Sequence, residues 1–122
     1  MPPMIIRSST DYIIAGVANK RKNSSNATLA NDASMTVWTP TATYRIQLHG
    51  LTFHSVNAGR VTILLGTDEL FDSVVPAGYV GIITFPPFGV EAAALNNALT
   101  LVNHTGDAND VSCCAWGREV KA

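Results

Sequence analysis

Histidines, clustered acids and a cysteine pair are the residue types in this chain that could do chemistry. His49, His54 and His104 are its only histidines, the first two five positions apart. A zinc site gathers His and Cys ligands at short, regular spacings. No Cys or paired carboxylate stands beside these histidines, so they are read as satisfied or surface residues. Asp68, Glu69 and Asp72 share one turn, and Asp107, Asn109 and Asp110 another. Calcium takes roughly six to eight oxygens from a ligand-bearing loop. Neither run supplies that many, so both are read as turns facing water.

The cysteines are adjacent, Cys113 and Cys114. Neighbouring side chains of a strand point to opposite faces, which keeps these thiols from bonding to each other. One is expected in the core and the other toward solvent or a partner. A Ser or Cys nucleophile needs a base and an orienting acid beside it. No nucleophile elbow, catalytic Cys motif or phosphate-binding glycine loop occurs. The expectation is no enzyme, no metal and no cofactor.

Binding has better candidates. Phe85-Pro86-Pro87-Phe88 sets two aromatics around a rigid diproline, an apolar knob for a partner or a lid over the end of a core. Tyr12, Ile13 and Ile14 lie in an apolar run, 11–17, that reads as a strand. The segment before residue 30 is either an arm that packs on a neighbouring subunit or an edge strand of its own domain.

The elements that must position these residues are strands. In Tyr44-Arg45-Ile46-Gln47-Leu48 the apolar residues fall on even positions; in Leu51-Thr52-Phe53 they fall on odd ones. A period-two pattern that slips by one needs an extra residue, and Gly50 sits at the slip. A bulge or bend is expected there, with the strand crossing between sheets. Further strands follow at 60–65, 70–75, 79–85, 98–103 and 110–120, with another at 33–38. Turn residues separate them at Asn57-Ala58-Gly59, Gly66-Thr67, Pro76-Ala77-Gly78 and Thr105-Gly106-Asp107. Tyr79 to Phe85 is apolar on both faces and reads as a strand covered on both sides. Glu91 to Asn97 has helical composition, enough for one turn in a loop. Asn19 to Ala27 reads as a polar Ser- and Asn-rich loop. The pattern specifies one all-β domain: an antiparallel sandwich of jelly-roll type with about eight strands. Residues 1–30 form its arm or edge strand and 31–122 its core.

Only 14% of the 122 residues are charged, against roughly 25% in typical soluble domains, and 47% are hydrophobic. So few charges suit a subunit packed among other chains. Net charge is −1, and Lys20-Arg21-Lys22 is the one basic cluster, so nucleic acid is not an expected partner. No run reaches the roughly 18 apolar residues of a membrane span. Met1 to Arg7 does not read as a secretory leader.

Three segments together resemble a known family. They are Thr36-Val37-Trp38-Thr39-Pro40 with the strand at 44–48, Asn97-Ala98-Leu99-Thr100-Leu101, and the closing strand Val111 to Val120. Their order is similar to that of small β-sandwich virion proteins of tailed bacteriophages, and the resemblance spans about residues 33–121. It implies a capsid decoration, or cement, protein on the virion surface, made in the bacterial host cytoplasm. Its partners would be the major capsid protein and copies of itself, as a homotrimer. A receptor- or glycan-binding fibre domain and a tail-completion or neck subunit are the alternatives. Cys113-Cys114 departs from the family pattern, and the N-terminal region matches nothing in it.

Overall fold

A computed structural model describes residues 19–86 and 88–121. Tyr12, Ile13, Ile14 and Pro87 lie outside the described residues. The rest folds as two packed antiparallel sheets. The strands are β1 (Asn19–Leu29), β2 (Ser34–Trp38), β3 (Tyr44–Ser55), β4 (Gly59–Leu65), β5 (Asp68–Val75), β6 (Tyr79–Thr84), β7 (Val90–Glu91), β8 (Leu99–His104) and β9 (Asn109–Lys121). One sheet, A, runs β1-β9-β3-β6 with β7 also on β3; the other, B, runs β2-β8-β4-β5. Numbering apart, this interleaving of two four-stranded sheets is the jelly-roll order, with the two-residue β7 added.

Alternation builds the core. Ile46, Leu48, Leu51 and Phe53 of β3 face Val61, Ile63 and Leu65 of β4 and Leu99 and Leu101 of β8, all buried. Phe53 sits at the centre of the far half, its ring 5.0 Å from Phe71 of β5 and 5.7 Å from Tyr79 of β6. That contact closes the β5–β6 margin. At the opposite margin β1 packs alongside β2.

The slip at Gly50 is a bulge. Leu48 pairs with Gly117 and Gly50 with Trp116, leaving His49 as the extra residue. A side chain at position 50 would meet the Trp116 indole at 2.5 Å, so glycine is required where that ring crosses the strand. The crossing between sheets that the slip suggests does not occur. β3 stays in sheet A along its length and instead changes neighbour, from β7 at Gln47 and Leu48 to β6 at Gly50 and beyond. A bulge re-aims a strand without detaching it, because the ladder to β9 resumes one residue later.

Three local expectations are corrected. Asn19 to Ala27 is strand and not loop: it forms most of β1, paired with β9 from Arg118 to Val111. An edge strand buries little of either face, so it need not carry an apolar period. Glu91 to Asn97 makes no helical turn; Val90 and Glu91 pair with β3, and Ala92 N donates to Ile46 O at 2.9 Å. β6 is not covered on both sides, since Val80 and Ile82 are 62% and 70% exposed.

The sandwich has two ends. The loops after β1, β3, β5 and β8 gather at one, here the upper end. The loops after β2, β4 and β6, with the β7 segment, gather at the lower end. The β4–β5 hairpin turns on Gly66, whose φ of +66° suits the first position of a two-residue loop.

Candidate interaction surfaces and buried polar sites

β9 carries both cysteines and separates them as a strand must. Cys113 points into the core, where burial and the neighbouring Cys114 push its thiol up to about 12. Cys114 points outward, half-buried, and both thiols are free. On that outer face of sheet A, Asn23, Thr52, His54, Val80, Ser112 and Cys114 border a shallow depression of about 220 Å³.

The three histidines do not converge. His49 and His54 lie on β3, on either side of the Gly50–Trp116 contact. His104 ends β8 at the upper end, its Nδ1 2.7 Å from Asp32 Oδ1. Burial, and then the charge of Arg118, hold His49 below the usual histidine range. Among the described residues, no group of three or more His, Cys, Asp or Glu could hold a metal ion.

The acids divide by what they touch. Asp72 accepts from Arg60 Nη1 at 2.6 Å and from Thr62 Oγ1 at 3.1 Å, and the Arg60 bond holds its carboxyl below the usual range. Asp68 and Glu69 stand exposed at the start of β5. At the upper end the polar residues are occupied internally. Asn109, buried, accepts from Asn57 N at 2.9 Å and donates to Ser55 Oγ at 2.8 Å. Asn103, also buried, donates to Leu29 O and Asp107 O, both at 2.8 Å, and accepts from Thr105 N and Oγ1. These two asparagines satisfy the loop backbone that a closed sandwich end would otherwise strand away from water.

Phe85, Pro86 and Phe88 part company. Phe85 packs against the core, while Pro86 is exposed and Phe88 is 76% exposed beyond it. The turn is held by Gly89 N donating to Phe85 O at 2.6 Å and Gln47 Nε2 donating to Phe88 O at 2.7 Å. Phe88 sits at the lower end, as do Asp68, Asn96 and Asn97, while Asp32, Asn57, Asn103 and Asn109 lie at the upper end. Val74, 67% exposed, stands on the outer face of sheet B, and Val80 and Ile82 stand on the outer face of sheet A.

One polar site escaped sequence reasoning. Glu119 of β9 points inward and is buried. It accepts from Trp38 Nε1 at 2.9 Å and Thr41 N at 3.0 Å, and Lys20 Nζ lies 3.3 Å away. Burial raises its pKa, but hydrogen bonds from Thr41 and Trp38 and the charge of Lys20 outweigh that and bring it to about 2. This carboxylate ties β1, β2 and β9 together across the two sheets. Its signal was parity: Cys113, Ala115, Gly117 and Glu119 share the inward phase of one strand.

No protein-family profile matches the chain, and no curated protein does. Among solved structures it is similar to a chain from the work titled "Bacillus endospore appendages form a novel family of disulfide-linked pili". The identity is 11% and the TM-score 0.46, over 87% of this chain and 89% of that one.

Proposed function

We propose that this chain is a non-catalytic structural subunit, a capsid decoration protein that binds the head of a tailed bacteriophage and reinforces its shell. The observation that carries the reading is how the side chains are used. The buried Asn103, Asn109 and Glu119 are spent on internal hydrogen bonds, while Val74, Val80, Ile82 and Phe88 stand out in water. Exposed apolar side chains on a domain with 14% charged residues suit burial against other chains. The sequence resemblance to virion β-sandwich proteins supplies the particular shell. Reinforcement then needs no reacting residue, since many weak copies on a repeating surface add through multivalency.

The test is sedimentation of purified protein with expanded, undecorated heads. Co-sedimentation that saturates at a fixed ratio to the major capsid protein, with raised resistance of the heads to heat, is the expected result. Absence of binding to such heads overturns it.

A further inference from the structure

The outer face of sheet A is divided along its strands into two unlike halves. Trp116 lies across Gly50 at mid-height, level with Arg21 of β1 and Thr84 of β6. Above that row the outward positions of β9, β3 and β6 are Cys114, Thr52 and Ile82, then Ser112, His54 and Val80, with no acid, lysine or arginine among them. The depression of about 220 Å³ lies in this half, and Val80 and Ile82 stand exposed beside it. Asp110 is exposed above it, at the top of β9. Below the row come Arg118, Gln47 and Glu91, then Arg45, with Glu91 3.5 Å from Arg45. Phe88 belongs to this lower half: its carbonyl accepts from Gln47 Nε2, and Arg118 Nε donates in turn to Gln47 Oε1. That relay holds an exposed aromatic in a fixed place.

The halves complement each other. Ile82 pairs with Thr52, whose β9 partner Cys114 is two residues above Trp116; Phe88 is bound to Gln47, whose β9 partner Arg118 is two residues below it. Both lie on the same side of β3, since β7 takes the place there that β6 holds above. A two-fold axis lying in the face, across the strands at the level of Gly50, therefore sets each copy's Phe88 against the other's Ile82. A cavity of roughly 150 Å³ holds a benzene ring, so the adjoining depression has room for a phenyl side chain. The same axis turns Arg45 and Arg118 of one copy toward the uncharged half and Asp110 of the other. An axis along the strands would bring the arginine-bearing halves together, which repulsion disfavours. Arg21, exposed on the edge strand at the level of the first axis, can keep its head in water. The face is four strands wide and as long as the 13 residues of β9. At about 4.8 Å between strands and 3.3 Å per residue it offers roughly 700 Å² in plan, close to the ~800 Å² each partner gives to a standard stable interface.

We infer that two copies of this chain pair through the outer faces of sheet A, strands antiparallel across the contact, with Phe88 of each against Ile82 and the depression of the other. The contact is isologous and closes at two, where the resemblance to virion proteins implies three. It packs sheet on sheet and uses no free strand edge. Val74, on the outer face of sheet B, stays available to a shell. The pairing goes beyond the reading of the chain as a shell protein and is measured on purified protein without heads. Failure to bind heads and failure to pair are therefore separate results.

The experiment is sedimentation velocity, from micromolar to millimolar protein, on the natural chain, I82K, F88E, an equimolar mixture of those two variants, and V74K. All three side chains are exposed, so the changes spare the core. The natural chain should reach a dimer and stop there. I82K and F88E should each associate at least about tenfold more weakly, since each puts two unpaired charges into the contact. In the mixture the introduced lysine of one chain meets the introduced glutamate of the other, while the second Ile82–Phe88 contact stays natural, so association should recover. That recovery separates a broken contact from a broken fold, and an axis along the strands would not give it. V74K, on the other sheet, should dimerise like the natural chain. A natural chain that stays monomeric overturns the inference and leaves the face to residues 1–18 or to another protein. It is equally overturned by a natural species larger than two, by association that I82K and F88E leave intact, by a mixture that does not recover, or by a V74K chain that does not dimerise.

Discussion

Replacing Glu119 by glutamine isolates what one buried charge contributes to this fold. The carboxylate lies between the sheets with Trp38, Thr41 and Lys20 around it, and its pKa falls from the usual 4.5 to about 2. Since the folded value lies below the unfolded one, the unfolded chain takes up a proton more readily. Stability from this group is therefore fully present above about pH 4.5 and is lost as pH falls toward 2. At roughly 1.4 kcal/mol per tenfold, that drop corresponds to about 3 kcal/mol. Lys20 is partly exposed, and solvent screens its share, so about 2 kcal/mol is the expected contribution. Glutamine keeps the shape and one acceptor oxygen but loses the charge. The assay is urea unfolding followed by tryptophan fluorescence, which reports on the buried Trp38, from pH 7 to pH 2.5. E119Q should be less stable by about 2 kcal/mol at pH 7, and the gap should close at the acid end. Other carboxylates, Asp72 included, titrate alike in both proteins and cancel in the difference. A gap that stays constant across this range, or that widens on acidification, would refute the reasoning.

Two further outcomes follow from the buried polar groups and the cysteine pair. Asn103→Ala removes a side chain that serves Leu29 O, Asp107 O and Thr105 at once, and it should cost about 2–4 kcal/mol in denaturant unfolding; a loss under about 1 kcal/mol would contradict its role at the upper end. The native protein should titrate one thiol with a disulfide reagent near neutral pH and two once unfolded, because Cys113 is buried with its thiol near 12 while Cys114 is half-exposed; two fast native thiols would contradict the assigned faces.

The alternation in 44–48, 61–65, 99–103 and 111–119 determines strands with one buried face. The parity slip determines a bulge at Gly50, and adjacency places Cys113 and Cys114 on opposite faces. These are local consequences of a two-residue repeat, so they are legible without any partner strand. What the bulge does was not legible. Changing neighbours within one sheet and crossing to another leave the same mark in the sequence, and only the pairing of β3 with β7, β6 and β9 distinguishes them. β1 read as a loop because its strand character comes from β9, and a polar edge carries no apolar signature of its own. The exposure of Val80 and Ile82 has the same origin: hydrophobicity specifies what water disfavours, and only the layout of the sheets decides which apolar face is left uncovered.

The histidines, acids and cysteines that opened the question follow this division. Their types and spacings argued against a metal or nucleophile site; the fold, which the spacing does not reveal, sets His54 and Cys114 beside one depression on sheet A and His104 against Asp32. Glu119 is the reverse case. As a lone acid near the end of the chain it suggests nothing in sequence. Its function as a tie between sheets exists only because folding brings Trp38, Thr41 and Lys20, distant along the chain, within hydrogen-bonding reach of one carboxylate.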